Sequence, residues 1–192
     1  MTLAVSEQPL LDAFPWVVVI VASAIGATMD VRERRLPNWL TLPLLLSGLA
    51  YWAVAGGFSG LASALGGASL VGLPYLLLFV LARGGAGDVK MMAGVGAWLG
   101  IVHGLVALVF VALAGGVLAV AVGLARGHGR SLARHLSDST LGLMAVARGW
   151  VPVARAGSVL PEPGALHRFP YGLAILVGTG AAAIGVSTWP IA

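Results

Sequence analysis

The sequence predicts an all-α, polytopic membrane protein with about six transmembrane helices, and three observations carry that prediction. The first is composition: of 192 residues, 59% are hydrophobic and 9% charged, with a mean hydropathy of +0.98. Soluble domains carry about 25% charged residues, so this chain has too few charges to coat a globule in water, whereas a bilayer accepts such a surface. The second is a succession of six apolar runs. The third is the placement of the basic residues, which fall into three loops on one side of a six-span path.

Taken in order, the runs are 14–29, 40–55, 61–82, 91–102, 105–125 and 169–190. A span needs roughly 20 residues. The first two reach that length only with their flanks, and the fourth is short unless it extends back through Asp88. The first run is expected to be a retained helix rather than a cleaved signal, because its leading flank holds Glu7 and Asp12 and no Lys or Arg. The 28 glycines suit helices that pack closely in a bilayer.

All 11 Lys and Arg lie in three places. Arg32, Arg34 and Arg35 follow the first run, and Arg83 and Lys90 separate the third from the fourth. The remaining six, Arg126 to Arg168, separate the fifth from the sixth. The turns expected near Gly56–Gly60 and His103–Gly104 have none. The positive-inside rule then makes the basic side cytoplasmic, placing the protein as a multi-pass chain in the inner (plasma) membrane. Residues 1–192 read as a single membrane-embedded domain with a cytoplasmic loop at about 126–168. In that loop Leu132, Leu136, Leu143 and Ala147 could form one face of a surface helix, and Pro152, Pro161 and Pro163 break its second half.

The net charge of +4 and the pI near 10.4 could suggest a nucleic-acid partner. Spreading the charge over three loops argues against one, and the lipid bilayer is the expected partner. The absence of cysteine excludes a disulfide framework, a thiol nucleophile and a Cys-ligated metal. The four histidines are scattered and read as solvated loop residues, so neither a metal nor another cofactor is expected. Trp16, Trp39 and Trp189 read as interfacial anchors. Nothing in the sequence fixes an oligomeric state.

Two of the seven acidic residues stand apart. Asp30 closes the first run, and Asp88 opens the fourth within Gly84-Gly85-Ala86-Gly87-Asp88-Val89-Lys90. Both belong to the cytoplasmic edge, and an ionisable group at membrane depth usually marks function. Two carboxyls brought close in a poorly solvated site share one proton and titrate as a unit. The ionised member can then activate water while the protonated member donates to a carbonyl oxygen. Gly85 and Gly87 would let the chain turn sharply and a substrate backbone approach. Blander readings exist for each: Asp30 beside arginines as an interfacial ion pair, and Asp88 as a helix cap after a turn.

The motif Asp30-Val31-Arg32-Glu33-Arg34-Arg35-Leu36-Pro37-Asn38 resembles the first motif of the type IV prepilin peptidases. Gly85-Ala86-Gly87-Asp88-Val89-Lys90 resembles their second, Gly-x-Gly-Asp followed by an aliphatic residue and Lys. Phe169-Pro170-Tyr171-Gly172 resembles the Pro-aromatic-Gly that opens their last helix. The three appear in the family's order and span most of the chain. The resemblance implies removal of leader peptides from prepilin-like substrates at the cytoplasmic membrane face, with Asp30 and Asp88 as catalytic aspartates. Lys90, Pro37 and Asn38 are then expected to shape the site. The chain is similar to the short form associated with Flp/Tad-type pili, and N-methylation of the product is not implied. The alternatives are a small transporter coupling ions through Asp30 and Asp88, and a non-catalytic assembly subunit.

Overall fold

A computed structural model describes residues 9–82, 85–125 and 171–188. The basic loop at about 126–168, the two termini and the expected anchor Trp189 lie outside the described residues. Four helices follow in chain order: α1 (Pro9–Glu33), α2 (Asn38–Ala82), α3 (Ala86–Ala125) and α4 (Tyr171–Thr188). All four are long and apolar enough to cross a membrane, so the protein is an all-α, multi-pass membrane protein.

The 45 residues of α2 and the 40 of α3 are too many for one crossing. A straight helix of 45 residues runs about 67 Å, roughly twice the hydrocarbon core. Each instead turns back at one glycine. Gly57 has φ 59° and ψ −142°, and Gly100 has φ 68° and ψ −164°, a backbone region that residues with a Cβ avoid. Beyond the Gly57 turn, Gly60 lies against the main chain of Trp52. A straight helix would hold those residues about 12 Å apart along its axis. Among the described residues, two turned helices and two single ones give six helical arms, in keeping with the approximate count that the apolar runs predict.

The second turn is not where the sequence placed it. The charge-free break expected at His103–Gly104 falls at Gly100, the glycine that takes the positive φ. His103 is therefore helical, half-buried and packed edge-on to Trp16 with ring centroids 5.9 Å apart, not a solvated loop residue. The fourth run likewise begins earlier than its apolar stretch: α3 starts at Ala86 and takes in Asp88.

The arms pack through small residues. Gly67 and Gly96 face one another backbone to backbone, and Gly48 and Gly94 lie against Ala97 and Leu44. The first arm of α3 is thus enclosed by both arms of α2, which explains why Met91, Met92, Val95 and Trp98 form the buried centre. The second arm of α3 runs antiparallel to α4, with Gly115 against Tyr171 and Val111 against Gly178. Close backbone approach of this kind is how helices associate where lipid is as apolar as their own side chains.

The outer surface is apolar as well. Leu76, Leu77, Leu78 and Val80 are exposed by 43–60%, a run no water-facing helix would carry and one that lipid solvates. Trp39, 61% exposed at the start of α2, has the placement expected of an interfacial anchor.

Candidate active site

The site is assembled at the end of the bundle where α1 stops and α2, α3 and α4 start. Helix α1 ends after Asp30: Arg34 takes a positive φ of 53° and its N–H donates to the Asp30 carbonyl at 2.9 Å. This is a left-handed helix cap made without glycine. Leu36 and Pro37 cross to α2, and the Pro37 carbonyl accepts the N–H groups of Leu40 and Thr41 at 3.1 and 3.3 Å. Pro37 therefore closes the first turn of α2, where its fixed φ and missing N–H cost nothing. Asn38 opens that helix.

Asp30 lies on the inner face of α1 with 9% of its surface exposed. Its Oδ2 accepts the main-chain N–H of Gly172 at 2.7 Å. That N–H belongs to the first turn of α4, whose donors have no partner within the helix and whose dipole favours negative charge. Arg32, Arg34 and Arg35 are exposed, so the buried contact of the Asp30 carboxyl is a helix N-terminus, which tells against the interfacial ion-pair reading.

Asp88 is held from the other side. Its N–H donates to the Gly85 carbonyl at 3.2 Å, the single turn that starts α3. A Cβ at Gly85 would stand 2.9 Å from Asp88 Oδ2, and one at Gly87 would stand 2.8 Å from Leu36 Cβ and 3.2 Å from the Leu36 carbonyl oxygen. The second glycine thus seats the Asp88 turn on the Leu36–Pro37 crossing, bringing the two sequence motifs into contact. Asp88 is partly buried and within electrostatic reach of Asp30. Lys90 turns outward and donates its Nζ to Asn38 Oδ1 at 2.9 Å, a second, exposed tie between the same motifs. The structure therefore gathers Asp30, Asp88, Gly85, Gly87, Lys90, Pro37 and Asn38 at one end of the bundle. Among the described residues no three His, Asp or Glu side chains come together as a metal site.

Sequence reasoning assigned no role to Tyr171 or Gly172, although both lie in the quoted Phe169–Gly172 motif, and it passed over Tyr75. A lone tyrosine inside an apolar run carries no signal in one sequence. In the structure the Tyr75 and Tyr171 hydroxyls are 3.1 Å apart.

Helices that cross a membrane and bring the Asp30 and Asp88 segments to one end define a multi-pass membrane protein. The sequence profile of the type IV leader peptidase family matches residues 17–120, more than half of the chain and inclusive of both aspartates. The chain belongs to that family. It is 38% identical over 119 residues to a prepilin leader peptidase/N-methyltransferase of Neisseria gonorrhoeae, covering 57% of this chain and 41% of that protein. It is 37% identical over 113 residues to the protein so named from Aeromonas hydrophila, covering 54% and 38%. A Burkholderia pseudomallei (strain K96243) protein of the same name is 42% identical over 84 residues, covering 38% and 26%. The chain thus aligns with about two-fifths or less of the length of these relatives. No solved structure matches it.

Proposed function

We propose that this protein is an aspartic-type leader peptidase that cuts prepilin-like substrates at the cytoplasmic face of the inner membrane. The observation that carries the reading is the packing of the two motif segments that bear Asp30 and Asp88, Gly87 against Leu36 and Lys90 on Asn38, at one end of a membrane bundle. The pair holds one proton. Its ionised carboxylate takes a proton from water as the water oxygen adds to the scissile carbonyl carbon. Its protonated carboxyl donates to the carbonyl oxygen, giving a neutral tetrahedral intermediate. Collapse of that intermediate breaks the C–N bond, and a proton passes to the departing amine. One water is consumed, and the leader ends in a new carboxyl group.

Gly85 leaves room for the Asp88 carboxyl, and Gly87 lets the Asp88 turn seat against Leu36. Pro37, Asn38 and Lys90 hold the two motif segments in register. Membership of the family supports the prepilin class of substrate, and the sorting of basic residues supports the cytoplasmic side. We place the chain with the short, Flp/Tad-type enzymes, acting as one membrane domain with its basic loop on the side of the site and with no cofactor. The transporter reading calls for acidic groups partway across the membrane. The acidic residues of the described helices, Asp12, Asp30, Glu33 and Asp88, all lie near helix ends.

The test is incubation of the membrane-embedded protein with prepilin-like peptides in EDTA, followed by sequencing of the new N-terminus. Cleavage at one position, after a glycine, is the expected result. Cleavage that stops in EDTA and returns with a divalent ion would overturn the metal-free mechanism, and no cleavage of any prepilin-like peptide would overturn the substrate class.

A further inference from the structure

Two consecutive residues tie the start of α4 to the three other helices. Gly172 donates its main-chain N–H to Asp30 Oδ2 on α1 at 2.7 Å. The hydroxyl of Tyr171 lies 3.1 Å from that of Tyr75 on α2, 96 positions distant in sequence, and one of the two donates to the other. Their rings are edge-on, with centroids 5.8 Å apart. Gly115 of α3 makes the room: a Cβ there would stand 2.9 Å from the Tyr171 hydroxyl and 3.1 Å from its ring. Tyr171 is therefore held between α2 and α3 while the next residue reaches α1.

The Tyr171 contact answers a local weakness. The opening N–H groups of a helix have no partner within it, and helix ends fray. Asp30 is bound by such an N–H, so its own placement is only as firm as the start of α4. Tyr75 is a firm point by contrast. It is 6% exposed and belongs to the buried core, although the leucines directly after it face outward. A hydroxyl buried there is costly without a partner, so the Tyr75 and Tyr171 hydroxyls hold one another.

We propose that Tyr75 and Tyr171 are positioning residues for Asp30: their hydrogen bond fixes the first turn of α4 so that the Gly172 N–H stays on the Asp30 carboxylate. The proposal rests on the aspartyl-peptidase reading above. The chain of contacts runs from Tyr75 to Tyr171 through a hydrogen bond, to Gly172 through the backbone, and to Asp30 through a second hydrogen bond.

The experiment measures kcat and KM for prepilin-like peptides with Tyr75→Phe, Tyr171→Phe and the double variant, beside wild type and Asp88→Asn, in membranes at matched protein level. Phenylalanine keeps the ring and removes only the hydroxyl. Each single variant should lose about fivefold in kcat, the scale of one neutral hydrogen bond, with KM changed less than about twofold. The double variant should resemble the singles, because either change breaks the same bond. Placed on Gly172→Ala, which already disturbs the Asp30 contact, Tyr171→Phe should cost less than about twofold more. A role in packing alone would give the full fivefold again on that background. A second pair of variants reaches the contact with both hydroxyls intact. Gly115→Ala crowds Tyr171 and should lose activity as the Phe variants do, whereas a Cβ at Gly116 meets nothing within 4 Å and Gly116→Ala should match wild type. Phe variants within about twofold of wild type, additive losses with Gly172→Ala, or equal activity of Gly115→Ala and Gly116→Ala, beside an inactive Asp88→Asn, overturn the positioning role and leave the peptidase reading intact. Full activity in Asp88→Asn overturns the peptidase reading itself.

Discussion

The main-chain N–H of Gly172 donates to Asp30 Oδ2 at 2.7 Å, joining the first turn of α4 to the last turns of α1 across 142 positions of sequence. The contact needs glycine. A Cβ at 172 would stand 2.9 Å from Asp30 Cβ and 3.0 Å from Ala27 Cα, and neither atom is the far end of a flexible side chain. Gly172→Ala must therefore push α4 away from α1 and lengthen the bond to the carboxylate. Leader cleavage should fall about tenfold or more, as for loss of a charge-assisted hydrogen bond. Gly180, on the same helix, has open space where a Cβ would stand, with nothing within 4 Å. Gly180→Ala should keep full activity and gain up to about 1 kcal/mol in helix stability. Equal losses in the two variants, measured at matched protein level, would mean that the Asp30 contact is not what glycine protects.

The two ties between the motif segments should differ in what they tolerate. Gly87 lies on the Leu36 backbone and Cβ, which cannot yield without moving the Pro37 turn. The Lys90–Asn38 bond is exposed and can be replaced by water. Gly87→Ala should abolish most cleavage, whereas Lys90→Met should keep activity within about threefold, in keeping with the small worth of exposed polar pairs. A Lys90→Met variant as inactive as Gly87→Ala would assign Lys90 a direct part in the chemistry. Initial rates of leader removal distinguish the two cases.

Which helix ends share a side of the membrane follows from where the turns fall, and the basic residues make the Asp30 end the expected cytoplasmic one. The Asp30 end holds the arginine-rich crossing to α2, and the Gly57 turn lies one arm away at the opposite end. Single cysteines at Ser59, Thr188 and Arg35 in this cysteine-free chain can be labelled by an impermeant thiol reagent in intact cells. Ser59→Cys and Thr188→Cys should react, and Arg35→Cys should react only after the cells are opened. Labelling of Arg35→Cys from outside would invert the topology and move the site off the cytoplasmic face.

How much of this was legible in the sequence depends on the range over which each feature is fixed. The membrane class and the six arms follow from composition and apolar run length, which act locally. Asp30 and Asp88 could be singled out because a carboxylate at the edge of an apolar run is costly wherever the chain goes next. The turn at Gly100 was misplaced by a few residues. Among closely spaced glycines the one with positive φ is chosen by packing, here beside the Ser63 hydroxyl of α2, and not by local pattern. Tyr75 was invisible for the same reason. Its neighbours Leu76, Leu77 and Leu78 face lipid, and only the return of α4, encoded nearly a hundred residues later, gives its hydroxyl a partner. Gly172 carried no local signal, since its task is to donate to a side chain at the other end of the sequence.

The two aspartates should behave as one device. If Asp30 and Asp88 share a proton, neither can be spared. Asp30→Asn removes the carboxylate that meets the Gly172 N–H, Asp88→Asn removes the one carried by the glycine turn, and each should abolish cleavage. The double variant should be no worse than either single one, because groups that act together are strongly non-additive. Asn preserves size and hydrogen-bonding capacity, so accumulation in the membrane should stay near normal. Glu33→Gln, at an exposed position on the end of α1, should stay within about twofold of wild type, as exposed charges contribute little. The wild type should lose activity toward low pH, where both carboxyls are protonated and no base is left. It should lose activity again toward high pH, where the shared proton departs and no acid is left. Cleavage by the two Asn variants and Glu33→Gln across that pH range is the measurement. A single Asn variant that cuts at near wild-type rate, with its profile unchanged, would remove the shared-proton pair from the mechanism.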